Sequence, residues 1–136
     1  MQFRKRQAIY LQIGEHLCDA IVNQEWRPDE KIPSDREMAV RVEENPNTVM
    51  RTYTDLENKG ILYNQRGIGF FVCQDAVEKI LAIKKAEFIK YDMPRICNRL
   101  DLLGLGLEDF KILYANCHTN RKDESMLPDE EEQNED

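Results

Sequence analysis

The sequence lacks the features that mark a membrane or secreted protein. It has no run of about 18 apolar residues, so no transmembrane helix is predicted. The N-terminal sequence MQFRKRQAIYLQIGEHL contains basic residues, but no unbroken apolar stretch or small-residue cleavage site, so we predict no signal peptide. The four cysteines stand apart without a CxxC pair, which is typical of reduced thiols packed as small apolar side chains. These absences predict a cytoplasmic protein with no membrane partner.

The chain also lacks an excess of basic residues. Its formal charge is −7, from 19 lysines and arginines against 26 aspartates and glutamates, whereas nucleic-acid binding needs local positive charge. Eight of the acids lie between Asp123 and Asp136, where no base occurs, and the rest of the chain has 19 bases and 18 acids. Residues 1–75 have ten bases and twelve acids. Net charge therefore neither excludes nor supports DNA binding.

Catalytic and cofactor motifs are missing as well. The Gly-Ile-Gly run at 67–69 lacks the third glycine, the following helix and the Lys-Ser/Thr pair of nucleotide-binding loops. No nucleophile is paired with a base, so we predict no enzyme activity and no cofactor. Cys97, Cys117 and His118 leave a metal-sensing regulator as an alternative, but their spacing is irregular and no metal site is predicted.

Apolar periodicity predicts three helices in the first part of the chain. An apolar stripe at three- and four-residue steps predicts a helix over residues 9–24. The run PSDRE at 33–37 has the Ser-x-x-Glu spacing of a capping box, which begins a short second helix. Asn45-Pro46 has the residue types of an N-cap and a first helical position, so a third helix is expected from there to about Lys59.

The pattern then changes to a hairpin and back to helix. Two β-favouring runs at 61–64 and 70–73 flank a glycine-containing turn, which predicts a β-hairpin. Helical periodicity returns from about 75 to 103, where Pro94 predicts a kink or a break. The segment LEDFKILYAN predicts a last short helix, and the acidic residues beyond Arg121 predict a disordered tail.

Three helices followed by a hairpin are the element order of a winged helix-turn-helix. The third helix of such a unit lies in the DNA major groove, with its N-terminal turns near base edges. Its outward positions here include Asn47 and Arg51, which can hydrogen-bond to bases or phosphates. Thr48 lies near the helix N-terminus, which favours an anion. Arg66 at the hairpin tip can reach a phosphate or the minor groove, and Gly67 allows close approach.

Four segments occur in unbroken order between residues 8 and 73: IYLQI, PSDREMA, NPNTVMRTYTDLENKGI and RGIGFFV. Together they resemble the DNA-binding domain of the GntR family of bacterial transcriptional regulators. The later segment LDLLGLGLEDFKILY resembles the two-helix C-terminal region of the YtrA subfamily, in which it is a dimerisation element without a large effector pocket. The resemblance implies six DNA-contacting residues: Arg36, Asn47, Thr48, Arg51, Arg66 and Gly67.

We therefore predict a mainly α-helical protein with a small β-hairpin wing. Residues 1–74 are expected to form the winged helix-turn-helix domain, 75–120 a helical dimerisation region and 121–136 an acidic, disordered tail. The apolar side chains expected at the dimer interface are Ile80, Phe88, Tyr91, Ile96, Leu100, Leu103, Leu107, Phe110 and Leu113.

The predicted function is that of a sequence-specific transcriptional regulator, a repressor that binds an inverted-repeat operator in double-stranded DNA as a homodimer. The alternative from another class is a protein–protein adaptor on a winged-helix scaffold that does not bind DNA. A small-molecule effector is left unassigned, because the apolar residues of the C-terminal region can pack in a dimer instead of lining a pocket. The acidic tail can compete with DNA for basic side chains or act only as a solubilising segment.

Overall fold

The computed structural model describes the backbone of residues 7–125 and the side chains of residues 7–120. The elements, in chain order, are α1 (Ile9–Val22), α2 (Asp35–Val42), α3 (Pro46–Asn58), β1 (Leu62–Gln65), β2 (Gly69–Val72), α4 (Ala76–Glu87), a π-helical segment (Phe88–Asp92), α5 (Met93–Leu102) and α6 (Leu107–Ser125). The chain divides into two units after Glu87. The mainly helical fold with one hairpin is confirmed.

The first turns of α2 and α3 are closed by the caps that the sequence predicts. Ser34 Oγ accepts a hydrogen bond from the N–H of Glu37 at 3.1 Å, and the Glu37 carboxylate accepts one from the N–H of Ser34 at 2.9 Å. This second bond is the main reason why the pKa of Glu37 lies below its usual value. Asn45 Oδ1 accepts the N–H of Asn47 at 2.7 Å, and Pro46 is the first residue of α3.

The core of the first unit is built from α1, α2, α3, α4 and the hairpin. Each element contributes buried aliphatic or aromatic side chains, among them Ile13, Leu17, Ile21, Met38, Val49, Tyr53, Leu56, Leu62, Val72 and Ile80. Burying an aliphatic or aromatic side chain of this size stabilises the fold by about 1.5–3 kcal/mol. The inward face of α3 is therefore fixed, and its opposite face is left to solvent.

The wing is a two-stranded antiparallel hairpin joined at its edge by the segment that precedes α2. Leu62 lies opposite Val72 and Gln65 opposite Gly69, so each strand is shifted by one residue from the predicted runs. Lys31 forms an antiparallel bridge with Phe71. Backbone hydrogen bonds on both sides of this bridge extend the pairing along β2.

The first unit extends beyond the predicted domain boundary at residue 74, because α4 packs against α1. Ala76 and Ile80 are each 1% exposed and belong to the core of this unit. The prediction that Ile80 contacts a second copy of the chain is therefore wrong. Its side chain is already covered by its own protomer, and α4 is a fourth helix of the winged unit.

The second unit contains the π-helical segment, α5 and α6. Pro94 lies in the first turn of α5, directly after the π-helical turn, so the predicted irregularity falls where proline's missing N–H is tolerated. Helix α6 is longer than the predicted segment and includes residues 121–125, which the sequence assigns to the disordered tail. Arginine, lysine and glutamate there are good helix formers and extend the helix. The remainder of the predicted tail, 126–136, lies outside the described residues.

Within the described range 7–125, no helix combines the length and the apolar content needed to cross a bilayer.

Candidate nucleic-acid interface

Helix α3 presents the predicted recognition residues on the face opposite to the core. Asn47 and Arg51 are exposed and Thr48 is half-buried. Val49 and Tyr53, on the inward face, have no exposed surface. Because an α-helix has 3.6 residues per turn, Asn47 and Arg51 lie one turn apart on the same side. The first two turns of α3 thus offer an amide and a guanidinium to the same surface.

The N-terminal turn of α1 lies beside this part of α3. The guanidinium carbon of Arg51 lies over the Tyr10 ring, 3.9 Å from its centre. A shallow concave surface between the two helices is lined by Ala8, Ile9, Tyr10, Asn47, Thr48 and Arg51. Tyr10 is not among the residues that the sequence predicts for this surface. The aromatic residue of the IYLQI segment is the only hint, because no local pattern shows that α1 begins next to α3.

Arg36 lies in the first turn of α2, exposed, on a second concave surface that also includes Asn47. Val40, one turn further along α2, is 79% exposed on the same surface and is likewise not predicted from the sequence. Asp35 and Glu44 also line this surface. The structure therefore brings Arg36 and Asn47 together, but the surface has charges of both signs.

Arg66 and Gly67 form the tip of the wing and do not line either concave surface. The N–H of Ile68 donates to the Gln65 carbonyl at 2.8 Å, and Gly67 closes this turn with a φ of +79°, a conformation that side chains with a Cβ rarely adopt. A Cβ on Gly69 would lie 3.0 Å from Cε of Lys31, so the Lys31 side chain lies along the wing. Lys31 is therefore a second cation of the wing, beside Arg66, and it is not predicted from the sequence.

The base of the wing is fixed by Asp29. The Tyr63 hydroxyl donates to Asp29 Oδ1 at 3.0 Å, and the Gln74 side-chain amide donates to Asp29 Oδ2. The Tyr63 ring stacks on Phe71 with centres 5.4 Å apart. Loss of hydration and then the bond to Asp29 raise the pKa of Tyr63 above its ordinary value. These contacts hold the hairpin in a defined orientation on the first unit.

A further cavity of about 220 Å³ lies among α1, α3 and α4. Pockets for small ligands usually enclose about 300–1,000 Å³, so this one is small for an effector. Cys18 lies in its wall, and burial raises the pKa of the Cys18 thiol to about 11. Across the side chains that the structure describes, 7–120, no three His, Cys, Asp or Glu residues are grouped so that they could hold a metal ion.

The second unit exposes much of its apolar surface. Apart from Ile80, which is buried, the predicted dimer contacts comprise five exposed and three half-buried side chains in the protomer. The exposed ones are Phe88, Tyr91, Leu103, Leu107 and Leu113, and the half-buried ones are Ile96, Leu100 and Phe110. Ile112 and Tyr114 of α6 are exposed as well.

Helices α1 to α4 and the hairpin share one core, and both the outward face of α3 and the wing expose basic side chains. This arrangement defines a winged helix-turn-helix regulator. Residues 9–72 match the family model described as bacterial regulatory proteins, gntR family. The chain is 43% identical over 108 residues to YhcF, an HTH-type transcriptional regulator of Bacillus subtilis, covering 79% of this chain and 88% of YhcF. The protein belongs to the GntR family, and it is a transcriptional regulator with a DNA-binding domain, not an enzyme.

Other relatives agree with this assignment. The chain is 31% identical over 105 residues to the HTH-type transcriptional repressor YtrA of Bacillus subtilis, covering 77% of this chain and 80% of YtrA. A solved GntR-family regulator from Bacteroides thetaiotaomicron has a TM-score of 0.75 at 37% identity, covering 84% of this chain and 99% of that one. A second, from Listeria monocytogenes, has a TM-score of 0.66 at 27% identity, covering 84% and 98%. The alignments with YhcF and YtrA are longer than the winged unit, so the likeness includes part of the C-terminal region.

Proposed function

We propose that the protein is a repressor that binds an inverted-repeat operator in double-stranded DNA as a homodimer. The observation that carries the proposal is the outward face of α3, where Asn47 and Arg51 lie one turn apart with no core role. Asparagine suits an adenine edge and arginine a guanine edge in the major groove. The relative YtrA is named a repressor, which supports the direction of regulation.

In this proposal the remaining site residues bind the sugar-phosphate backbone of the DNA or let the protein approach it. Arg36 at the start of α2 and Arg66 at the wing tip contact phosphates, and Thr48 contacts a phosphate near the start of α3. Gly67 lets the wing approach the DNA closely because it has no side chain. These contacts set the register of α3 in the groove, while the base contacts supply the sequence preference.

The homodimer is supported by the apolar surface of the second unit. A protomer that exposes Leu103, Leu107 and Leu113 leaves side chains in water that a protein interface would cover. A two-fold axis would present two α3 helices to half-sites about 34–36 Å apart, so the operator should be an inverted repeat. A regulator of this kind acts on the chromosome, which is the ground for a cytoplasmic location.

The proposal is tested with the full-length protein and a pool of random-sequence DNA duplexes. Repeated selection should enrich an inverted repeat, bound by two chains per duplex, with log K falling linearly as log salt rises. Enrichment of a single half-site bound by one chain would contradict the homodimer. Absence of salt-sensitive binding to every duplex would favour the protein–protein adaptor instead.

The repressor role needs a separate measurement. Transcription from a promoter that contains the selected sequence should fall when the protein is added to purified RNA polymerase. A rise in transcription would identify an activator and would leave the DNA-binding part of the proposal in place.

A further inference from the structure

The guanidinium of Arg51 is held by an aromatic ring from another helix. Its central carbon lies 3.9 Å from the centre of the Tyr10 ring. An arginine over an aromatic face is attracted by the ring quadrupole, and the contact leaves the N–H donors at its edge available for hydrogen bonds. Among the side chains of residues 7–120, no carboxylate forms a salt bridge with Arg51. Within the same described side chains, no hydrogen bond uses the guanidinium N–H donors of Arg51.

The backbone of Tyr10 is hydrogen-bonded to α3 at the residue that follows Arg51. The hydroxyl of Thr52 donates to the Tyr10 carbonyl at 2.7 Å, and Thr52 is 1% exposed. Thr52 directly follows Arg51, so the position of Tyr10 along α1 is coupled to the turn of α3 that presents the guanidinium. The ring is thus placed by the backbone of α1 and not by its own side-chain torsions alone.

We propose that Tyr10 is a positioning residue that holds the Arg51 guanidinium in the orientation that reads the operator. This inference rests on the proposed function. A free arginine side chain loses rotamer freedom when it binds a base, whereas one that is already stacked loses less. Tyr10 therefore increases the affinity for the operator through Arg51, and its own hydroxyl needs no contact with DNA.

The test compares Tyr10→Leu with the conservative variant Tyr10→Phe, each made with and without Arg51→Ala. The probe is the duplex that the wild-type protein selects from the random-sequence pool. Tyr10→Leu should weaken its binding about fivefold, whereas Tyr10→Phe, which keeps the aromatic face, should stay within about twofold. In the Arg51→Ala background, Tyr10→Leu should have no further effect, because the residue acts through Arg51.

A second readout needs no DNA. In the free protein, the δ-methylene protons of Arg51 should show an upfield ring-current shift in the NMR spectrum of the wild type and of Tyr10→Phe, and lose it in Tyr10→Leu. An equal effect of Tyr10→Leu with and without Arg51 would overturn the proposal, and so would a Tyr10→Phe variant as weak as Tyr10→Leu. A wild-type protein that selects no duplex overturns the proposed function, whereas unshifted Arg51 protons overturn the stacking itself.

Discussion

The hydroxyl of Tyr53 donates a 2.7 Å hydrogen bond to the backbone carbonyl of Pro33, which joins the middle of α3 to the segment that precedes α2. The Tyr53 ring also meets the ring of Phe70 on β2 edge-on, with centres 5.1 Å apart. Tyr53 has no exposed surface, and burial raises its pKa above the ordinary value. The Tyr53 side chain therefore connects α3 both to the segment before α2 and to the wing.

Removing that hydroxyl should destabilise the first unit. Tyr53→Phe leaves the Pro33 carbonyl without its partner, so the free energy of unfolding should fall by about 1–3 kcal/mol. Urea unfolding followed by circular dichroism measures the change. Tyr114→Phe is the control, because Tyr114 is exposed on α6 and its ring contacts persist in phenylalanine. Equal stability of the wild type and Tyr53→Phe would contradict the role of this bond.

In the proposed function Arg51 contacts a base, so Arg51→Ala should weaken the specific complex by about 1–3 kcal/mol. Lys59→Ala is a matched control, since it removes the same charge from the end of the same helix, where Lys59 forms an i,i+4 ion pair with Asp55. Fluorescence anisotropy on the selected duplex gives both affinities. If both variants bind like the wild type, Arg51 does not belong to the site.

Arg66→Gln should alter the salt dependence more than the sequence preference. In the proposed function Arg66 contacts one phosphate, and loss of one such contact lowers the slope of log K against log salt by about 0.9. The affinity ratio between the selected duplex and a scrambled one should stay the same. Lys79→Gln, on α4, serves as the control for charge. An unchanged slope would show that the wing tip does not reach the phosphates.

Ile80→Ala should affect the stability of the fold, whereas Leu113→Ala should affect self-association. Ile80→Ala leaves a cavity in the core and should lower the free energy of unfolding by about 2–5 kcal/mol. Leu113 is 45% exposed in the protomer and lies in the proposed dimer interface, so Leu113→Ala should instead raise the dimer dissociation constant about fivefold or more. Urea unfolding and sedimentation equilibrium measure the two effects. A weaker dimer from Ile80→Ala at unchanged stability would contradict its place in the core.

The thiol of Cys18 should make stability depend on alkaline pH. Its pKa is raised from 9.0 to about 11 in the folded protein, mainly by burial. Because the thiol has the higher pKa in the folded state, its burial stabilises the folded protein fully at pH values below the pKa of the unfolded state. This stabilisation is lost as the pH rises from about 9 through about 11. The stability advantage of the wild type over Cys18→Ala should therefore shrink across that interval. An advantage of equal size below pH 9 and above pH 11 would contradict the burial of this thiol.

Capping residues in the sequence predicted the starts of α2 and α3. They could do so because each capping side chain accepts a hydrogen bond from a backbone N–H no more than three residues away. Ser34 with Glu37, and Asn45 with Asn47, bond as their spacing predicts. The length of α6 was less predictable, since its polar C-terminal turns show no apolar periodicity. Because no apolar face marks residues 121–125 as helical, they were predicted to belong to the tail, whereas α6 includes them.

The charge of −7 and the scattered cysteines left the function open, whereas the order of apolar stripes, caps and turn residues was enough to identify a winged helix-turn-helix. Those features are local, so the sequence by itself determined which elements form and which side of α3 faces outward. Only the tertiary structure decided that Ile80 lies in the core, that Lys31 follows the wing and that Tyr10 stacks on Arg51. Each of these contacts joins residues from different elements, and their proximity depends on how the helices and the hairpin pack together.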